Sequence, residues 1–399
     1  HCSISQPDSD FTKAQWKIKQ AFALDADTKS QKLLKSSLAG RQNAAKTVAA
    51  VDVFNTCSWA RTDLVVLPKD WNLPGDMVKD ADGQWVHSQR LSTGELAFVA
   101  KNVPPLAAGR FTFGIYPPVL LPIIQGSAKV NGTRLSNALL TVTIDDKTGT
   151  IASFKRKDIS FDLVNGKSGL GLNDYFYVAG RDPKDPQRNG RVKVRVKERG
   201  PLVASLLIES AAPGCHKLTR EVRIIAWIDR VDIINIIDKQ KIYKQEGVHL
   251  AFPFNVPEGV MRMDTPWAVV QPEVDQLPGA CKNYFTVQRW VDVSNEDYGV
   301  TWATVDAPLV EVGAITSDPR GKTVGWIKHI EPSTTLYSYV MNNYWETNYK
   351  AGQEDPTTFR YSIKPHKRFD SGSAARFGTE RSQPLIAVPV DSKIPIQNS

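Results

Sequence analysis

Asp145-Asp146 and Glu296-Asp297 are adjacent carboxylate pairs. Two acids that converge in space can divide general-acid and nucleophile roles, and hydrolysis of a glycoside needs no more than that. Both pairs sit in turn-forming sequence, Asp-Asp-Lys-Thr-Gly and Ser-Asn-Glu-Asp-Tyr-Gly. Side chains of this kind close turns by bonding their own backbone, so turn chemistry is the expectation for both. The six histidines, His1, His87, His216, His249, His329 and His366, do not pair with one another at ligand spacing. There is no Gly-x-Ser-x-Gly elbow, no His-Glu-x-x-His and no phosphate-binding glycine-rich loop.

Two further segments are dense in residues that bind polar ligands. The first runs Gly171-Leu172-Asn173-Asp174-Tyr175-Phe176-Tyr177-Val178 and continues to Gly180-Arg181-Asp182-Pro183. The second runs Tyr337-Ser338-Tyr339-Val340-Met341-Asn342-Asn343-Tyr344-Trp345-Glu346-Thr347-Asn348-Tyr349. Rings cover the apolar faces of sugars while amides and carboxylates bond their hydroxyls. The same composition equally builds a strand edge with Asn and Asp in its turns.

The chain has 399 residues, too many for one ordinary core, and two or three domains are expected. Its net charge of +8 is scattered. The densest basic run, Arg191 to Lys197, alternates with Val, which places the charges on one solvated face of a strand. No nucleic-acid-binding signature accompanies it, so no nucleic-acid partner is predicted. Cys2, Cys57, Cys215 and Cys281 are widely separated and form no zinc signature or disulfide framework, leaving the redox compartment open. No run reaches the roughly 18 apolar residues of a membrane span. The sequence opens on His1 rather than Met, as a processed or excised fragment would.

These residues need elements to hold them. Thr12-Lys13-Ala14-Gln15 has capping-box form. Ile18, Ala21 and Phe22, then Leu33, Leu34 and Leu38 before Gly40, recur at helical spacing, predicting two amphipathic helices within 1–50 that must dock on something else. From Val51 short β runs alternate with Gly and Pro turns, predicting a small antiparallel sandwich over 51–120 with its exit linker at Pro117-Pro118. The remainder, 121–399, reads as one large antiparallel β domain without a helix of credible length. Its first hairpin turns at Asp145 to Thr150.

Three separated stretches, in order, resemble the C-terminal half of glycoside hydrolase family 38, which includes α-mannosidases. Asn55-Thr56-Cys57-Ser58-Trp59-Ala60-Arg61-Thr62-Asp63 resembles the Asn-x-x-Ser-Trp-x-Arg stretch that opens that family's small β domain. Tyr298 to Pro308 and Met341 to Tyr349 are similar to a bacterial version of its large β domain. The resemblance implies a helical-bundle tail over 1–50, a small β-sandwich, and a large mutarotase-like β-supersandwich. It also implies that the nucleophilic Asp, the acid and most zinc ligands lie upstream, so that zinc belongs to the full-length enzyme and the chain alone has no catalytic residues or cofactor. His1 is the one metal ligand the resemblance offers. Asp174, Tyr175, Arg181 and Arg289 correspond by position to residues that the large β domain lends to the substrate rim.

The function implied is support of a retaining, zinc-dependent exo-glycosidase acting on α-mannosides, the mannoside being met through the absent catalytic domain. Two readings from other classes remain beside it. One is a stand-alone carbohydrate-binding module. The other is a mutarotase-like epimerase, which would need a convergent His and acid, with His249 and His329 as candidates. Oligomeric state and glycan linkage are not readable from the sequence.

Overall fold

A computed structural model of the chain describes residues 2–38, 47–115, 126–316, 324–344 and 350–390. His1, the expected stop at Gly40, the linker at Pro117-Pro118 and Trp345 to Tyr349 lie outside the described residues. The chain divides into two compact units. One comprises His1–Ser5, Val130–Lys197 and Ser205–Ser382, and the other Gln6–Lys129, Glu198–Ala204 and Gln383–Ser399.

In the smaller unit the two expected helices are one, Asp10–Leu38, of 29 residues. Nothing between Phe22 and Leu33 breaks it, because the intervening residues include neither Gly nor Pro and Lys29 pairs with Asp25 one turn back at 2.6 Å. The cap is Ser9 rather than Thr12: Ser9 Oγ accepts the Thr12 N–H at 3.2 Å, and Asp10 places an acid in the first turn. Within the helix only Thr12 is buried. Phe11, Ile18, Phe22 and Leu33 are 65%, 52%, 71% and 68% exposed. At about 100° per residue those four fall on one stripe.

The β part of this unit is a sandwich. Arg61–Leu67 alternates buried and exposed residues and pairs with Leu96–Val103, on the other edge of which lies Ser88–Arg90. The facing sheet sets Ala50–Phe54 between Ala108–Gly114 and Ile386–Val390. Phe98 from one sheet meets Phe111 from the other at 4.9 Å, in a core with Val51, Val53, Leu67 and Leu96. Ile386–Val390 therefore lies with the small unit, although it falls within the span 121–399 expected for the large domain.

The family-like stretch at 55–63 is a staple of this sandwich. Asn55 Nδ2 donates to the carbonyls of Trp59, Val103 and Pro104 at 2.7, 3.1 and 3.1 Å, and its Oδ1 accepts the Cys57 N–H at 3.0 Å. Arg61, buried, donates to the Gln383 carbonyl at 2.7 Å. These side chains satisfy backbone groups that would otherwise be enclosed without partners.

The larger unit is a supersandwich built on two large antiparallel sheets, with a smaller four-stranded sheet beside them. The six-stranded one runs Gln187–Arg188, Asp174–Ala179, Glu246–Pro253, Thr335–Asn342, Leu309–Val312, Phe285–Thr286. The nine-stranded one centres on Val231–Lys239, Asp355–His366, Gly299–Thr304 and Trp290–Ser294. Phe252 of the first packs on Trp302 and Tyr361 of the second at 5.3 and 5.2 Å, and Ser338 meets the Tyr361 hydroxyl at 2.9 Å. The core lies between the sheets.

The expected hairpin is present, Leu140–Ile144 pairing with Ile151–Arg156. Asp145 accepts the N–H groups of Lys147 and Thr148 at 2.8 and 2.7 Å, and the Thr148 bond foremost lowers its pKa. That carboxylate closes a turn. The basic run also lies as expected, with Lys193 and Arg195 exposed on the strand Val192–Arg199 and Lys197 paired with Glu221 at 2.6 Å.

A helix does interrupt the β domain, Ser371–Ser382. Its sequence, rich in Ser, Gly and Arg, buries only Ala374, Phe377 and Gly378, too narrow a stripe to register as a period. Asp370 starts it by accepting the Ser373 N–H at 2.6 Å.

Candidate functional site

The two aromatic segments singled out in the sequence are brought together by a strand between them. Asp174–Ala179 and Thr335–Asn342 flank Glu246–Pro253, with Phe176 opposite His249 and His249 opposite Tyr339. Phe176 and Tyr337 approach edge-on at 6.2 Å, and the His249 imidazole stacks on Tyr339 at 4.4 Å.

Asp174 and Tyr175 open the first strand, on its opposite faces, and both are buried. Asp174 is 2% exposed; its Oδ2 accepts from Arg188 Nη2 at 2.7 Å, while Oδ1 is enclosed without a partner. Burial raises its pKa to about 6, against the pull of the Arg188 and Arg220 guanidinium groups. Arg220 is wholly buried beneath it and is lowered to about 10 for the same reason, desolvation. Tyr175 is fully enclosed and donates its hydroxyl to the Pro213 carbonyl at 2.6 Å. Burial pushes that hydroxyl far above the usual phenol range.

Arg181, two residues past the strand, is half-buried. It donates to the Tyr344 carbonyl at 3.2 Å and sits 5.8 Å from that ring. Arg289 belongs to the other sheet, just before Trp290–Ser294, where its Nε donates to Ser382 Oγ at 3.2 Å. Of the four rim candidates, then, two are interior supports of one strand, and the half-buried guanidinium groups of the other two stand on different sheets. His1, the candidate metal ligand, lies outside the described residues.

Beside Arg181 the strands enclose polar groups that no sequence motif announces. Lys239 Nζ meets Glu246 Oε1 at 2.6 Å with both side chains buried. The Tyr177 hydroxyl bonds the same carboxylate and is raised by burial and by that negative charge. Gly214, at φ +75°, makes room for the Tyr177 ring: a Cβ there would stand 2.4 Å from it. Asn343 is spent on loop closure, accepting the Glu246 N–H at 2.7 Å and donating to the carbonyls of Ile242, Lys244 and Ala351. A cavity of about 190 Å³ borders Lys239, Glu246, Met341, Asn343 and Lys350.

His249 and His329, the two histidines named for an acid–base role, do not converge. His329 is on the surface at 3.0 Å from Glu273. His249 Nδ1 does meet an acid, Glu311 Oε2, at 2.7 Å, yet both side chains are 0% exposed. Glu311 also accepts from the Thr316 N–H and hydroxyl at 2.8 and 3.0 Å. Sequence reasoning missed Glu311 because only strand pairing brings it near: Glu311 lies opposite Tyr337, and Tyr339 opposite His249.

Among the described residues no group of three or more His, Cys, Asp or Glu is placed to hold a metal ion. The donor set for a zinc ion is thus not among them. Nor, among the described residues, is any helix long and apolar enough to cross a membrane.

Residues 135–306 match the family model described as the glycosyl hydrolases family 38 C-terminal domain. Among solved structures, an alpha-mannosidase from Enterococcus faecalis is similar at a TM-score of 0.63 and 14% identity, over 89% of this chain and 47% of that one. A protein in the glycosyl hydrolase family 38 from Enterococcus faecalis is similar at a TM-score of 0.62 and 16% identity, over 91% and 50%. The chain spans about half the length of these structures, and at such identities the likeness is one of fold. A galactose mutarotase-like protein from Lactobacillus casei matches at a TM-score of only 0.34 and 11% identity, over 58% of this chain and 99% of that one, too low to carry an argument. No curated protein matches the chain by sequence.

Proposed function

Because residues 135–306 match the family model of the glycosyl hydrolases family 38 C-terminal domain, we propose that the chain is the non-catalytic β portion of a retaining α-mannosidase-like enzyme. It supports that enzyme's catalytic domain and contributes to the rim of its substrate site. One observation carries the reading: nearly the whole chain, 89% of it, superposes on just under half, 47%, of an alpha-mannosidase. The uncovered apolar stripe of Asp10–Leu38 supports it as well. A helix with Phe11, Ile18, Phe22 and Leu33 facing water gains about 1.5–3 kcal/mol per large side chain when a partner covers it, and a helical bundle in the upstream part of that enzyme is the proposed cover.

In this reading the residues divide by burial. Arg181 and Arg289 reach the rim, while Asp174 and Tyr175 hold the Arg181 segment from behind. The helical segment 1–50, the small sandwich 51–120 and the large supersandwich 121–399 are the parts contributed, with Ile386–Val390 completing the small one by its pairing with Ala50–Phe54. The Asp nucleophile, the acid and the zinc site, His1 apart, belong to the catalytic domain, and the mannoside is the substrate of the assembly.

Reconstitution tests this. The purified chain is assayed on p-nitrophenyl α-mannoside alone, and together with a family 38 catalytic domain supplied as a second polypeptide, with and without chelator. Hydrolysis that requires the second polypeptide and is lost on chelation is expected. Sustained turnover by the chain alone, indifferent to chelator, would overturn the proposal.

A further inference from the structure

A second cavity, of about 460 Å³, opens in the larger unit where the strands Val260–Thr265 and Trp290–Ser294 meet the segment before Ser371–Ser382. Its size is that of ordinary small-ligand sites, about 300–1,000 Å³. Glu258, Arg262, Glu296, Asp297, Arg368 and Phe369 line it.

The cavity wall is organised from a buried charge outward. Asp292 is 0% exposed and accepts from Ser294 Oγ at 2.6 Å and Thr301 Oγ1 at 2.7 Å, with His366 Nε2 also at 2.7 Å. Ser294, its proton committed to Asp292, accepts from Arg262 Nη1 at 3.0 Å. That bond and the Phe369 ring, 4.5 Å below the guanidinium, fix Arg262 before any ligand arrives. The backbone of the loop that carries the acids is fixed too. Asn295 Oδ1 accepts the N–H groups of Asp297 and Tyr298, both at 3.0 Å, and its Nδ2 donates to the Pro257 carbonyl at 3.1 Å. Ordering both walls in advance removes entropy that binding would otherwise cost.

The charge pattern selects the ligand class. An inorganic anion drawn to Arg262 and Arg368 would meet Glu258, Glu296 and Asp297, and a metal ion drawn to those acids would meet the two guanidinium groups. A neutral molecule rich in hydroxyls satisfies both sets, donating to carboxylates and accepting from guanidinium. We propose that this pocket is a binding site for a neutral saccharide, with Glu296 and Asp297 as hydroxyl acceptors and Arg262 as the fixed donor. The inference rests on the pocket's own chemistry and is independent of the enzyme reading above.

Ligand-observed NMR on the full chain tests it, with methyl α-mannoside, mannobiose and methyl β-glucoside as probes and inorganic phosphate as the anionic control. Glu296 and Asp297 are exposed, so the double variant E296Q/D297N is expected to keep the wild-type near-UV circular dichroism. Saturable binding of at least one saccharide, weakened about tenfold or more in E296Q/D297N, is the expected result. Binding indifferent to that variant, binding of phosphate alone with loss in Arg368→Ala, or no binding of any probe would each overturn it.

Discussion

The imidazole of His249 and the carboxylate of Glu311 meet at 2.7 Å in an enclosure that admits no solvent to either. Their atoms lie on strands separated by a third, and the Tyr339 ring of that third strand covers the imidazole face. Enclosure makes this pair a determinant of stability and gives it no access to a substrate. Removing the acid strands the buried Thr316 donors that it accepts from, so Glu311→Ala should cost about 1–3 kcal/mol. Glu311→Gln, which retains an acceptor for Thr316, should cost less. Urea unfolding checks both, and a loss under about 1 kcal/mol for the alanine variant would show the pair to be dispensable.

Asp174 should leave a signature in the pH dependence of stability. Its pKa in the folded chain is raised from 3.8 to about 6, so the folded state holds a proton that the unfolded chain has already released. A carboxyl group of this kind contributes a stability that falls as pH rises from about 4 to 6 and then levels off, by about 3 kcal/mol for a shift of this size. Asp174→Asn removes the titration. Whatever fixed offset the lost Arg188 pairing brings, the stability difference between variant and wild type should drift toward the variant from pH 4 to 7. Drift toward the wild type would contradict the burial argument.

Asn55 should behave as a structural residue of the small sandwich. Its amide serves three carbonyls and one N–H at once. Asn55→Ala is expected to cost about 2–4 kcal/mol. Asn55→Asp has the same shape but no donor for those carbonyls and should be at least as damaging. A tolerated aspartate, measured by denaturant unfolding, would mean that the donor side of the amide is not what matters.

The helix Asp10–Leu38 gives a surface prediction. Phe22→Glu and Leu33→Glu alter side chains 71% and 68% exposed, so unfolding of the chain alone should shift by no more than about 0.5 kcal/mol. Association with the second polypeptide of the reconstitution, followed by calorimetry, should weaken about tenfold or more. Unchanged association would place the contact elsewhere.

The sequence revealed architecture where one face of an element meets water. The alternation in Arg61–Leu67, the turn at Asp145 and the charged face of Val192–Arg199 were all readable for that reason. The strand at the heart of the candidate site was not. Every residue of Glu246–Pro253 is buried, so Gly-Val-His-Leu-Ala-Phe has no alternation to detect. The helix Ser371–Ser382 was missed for the opposite reason, since three buried residues among Ser, Gly and Arg make no stripe. Site residues fared according to their partners. The segments holding Asp174 and Tyr339 stood out by composition, whereas Arg188, Glu311 and Asp292 acquire their significance only through strand register, which no local motif encodes. Glu296-Asp297 was readable as a turn, but the cavity it borders was not.

The pairing of Ala50–Phe54 with Ile386–Val390 has a consequence for biosynthesis. A ribosome delivers the first of these strands long before the second, and until then one edge of the small sandwich offers its unpaired amides to any passing chain. The nascent protein must carry that open seam throughout translation of the supersandwich. Slow synthesis or premature termination past Ser382 should therefore harm the first β unit made more than the last.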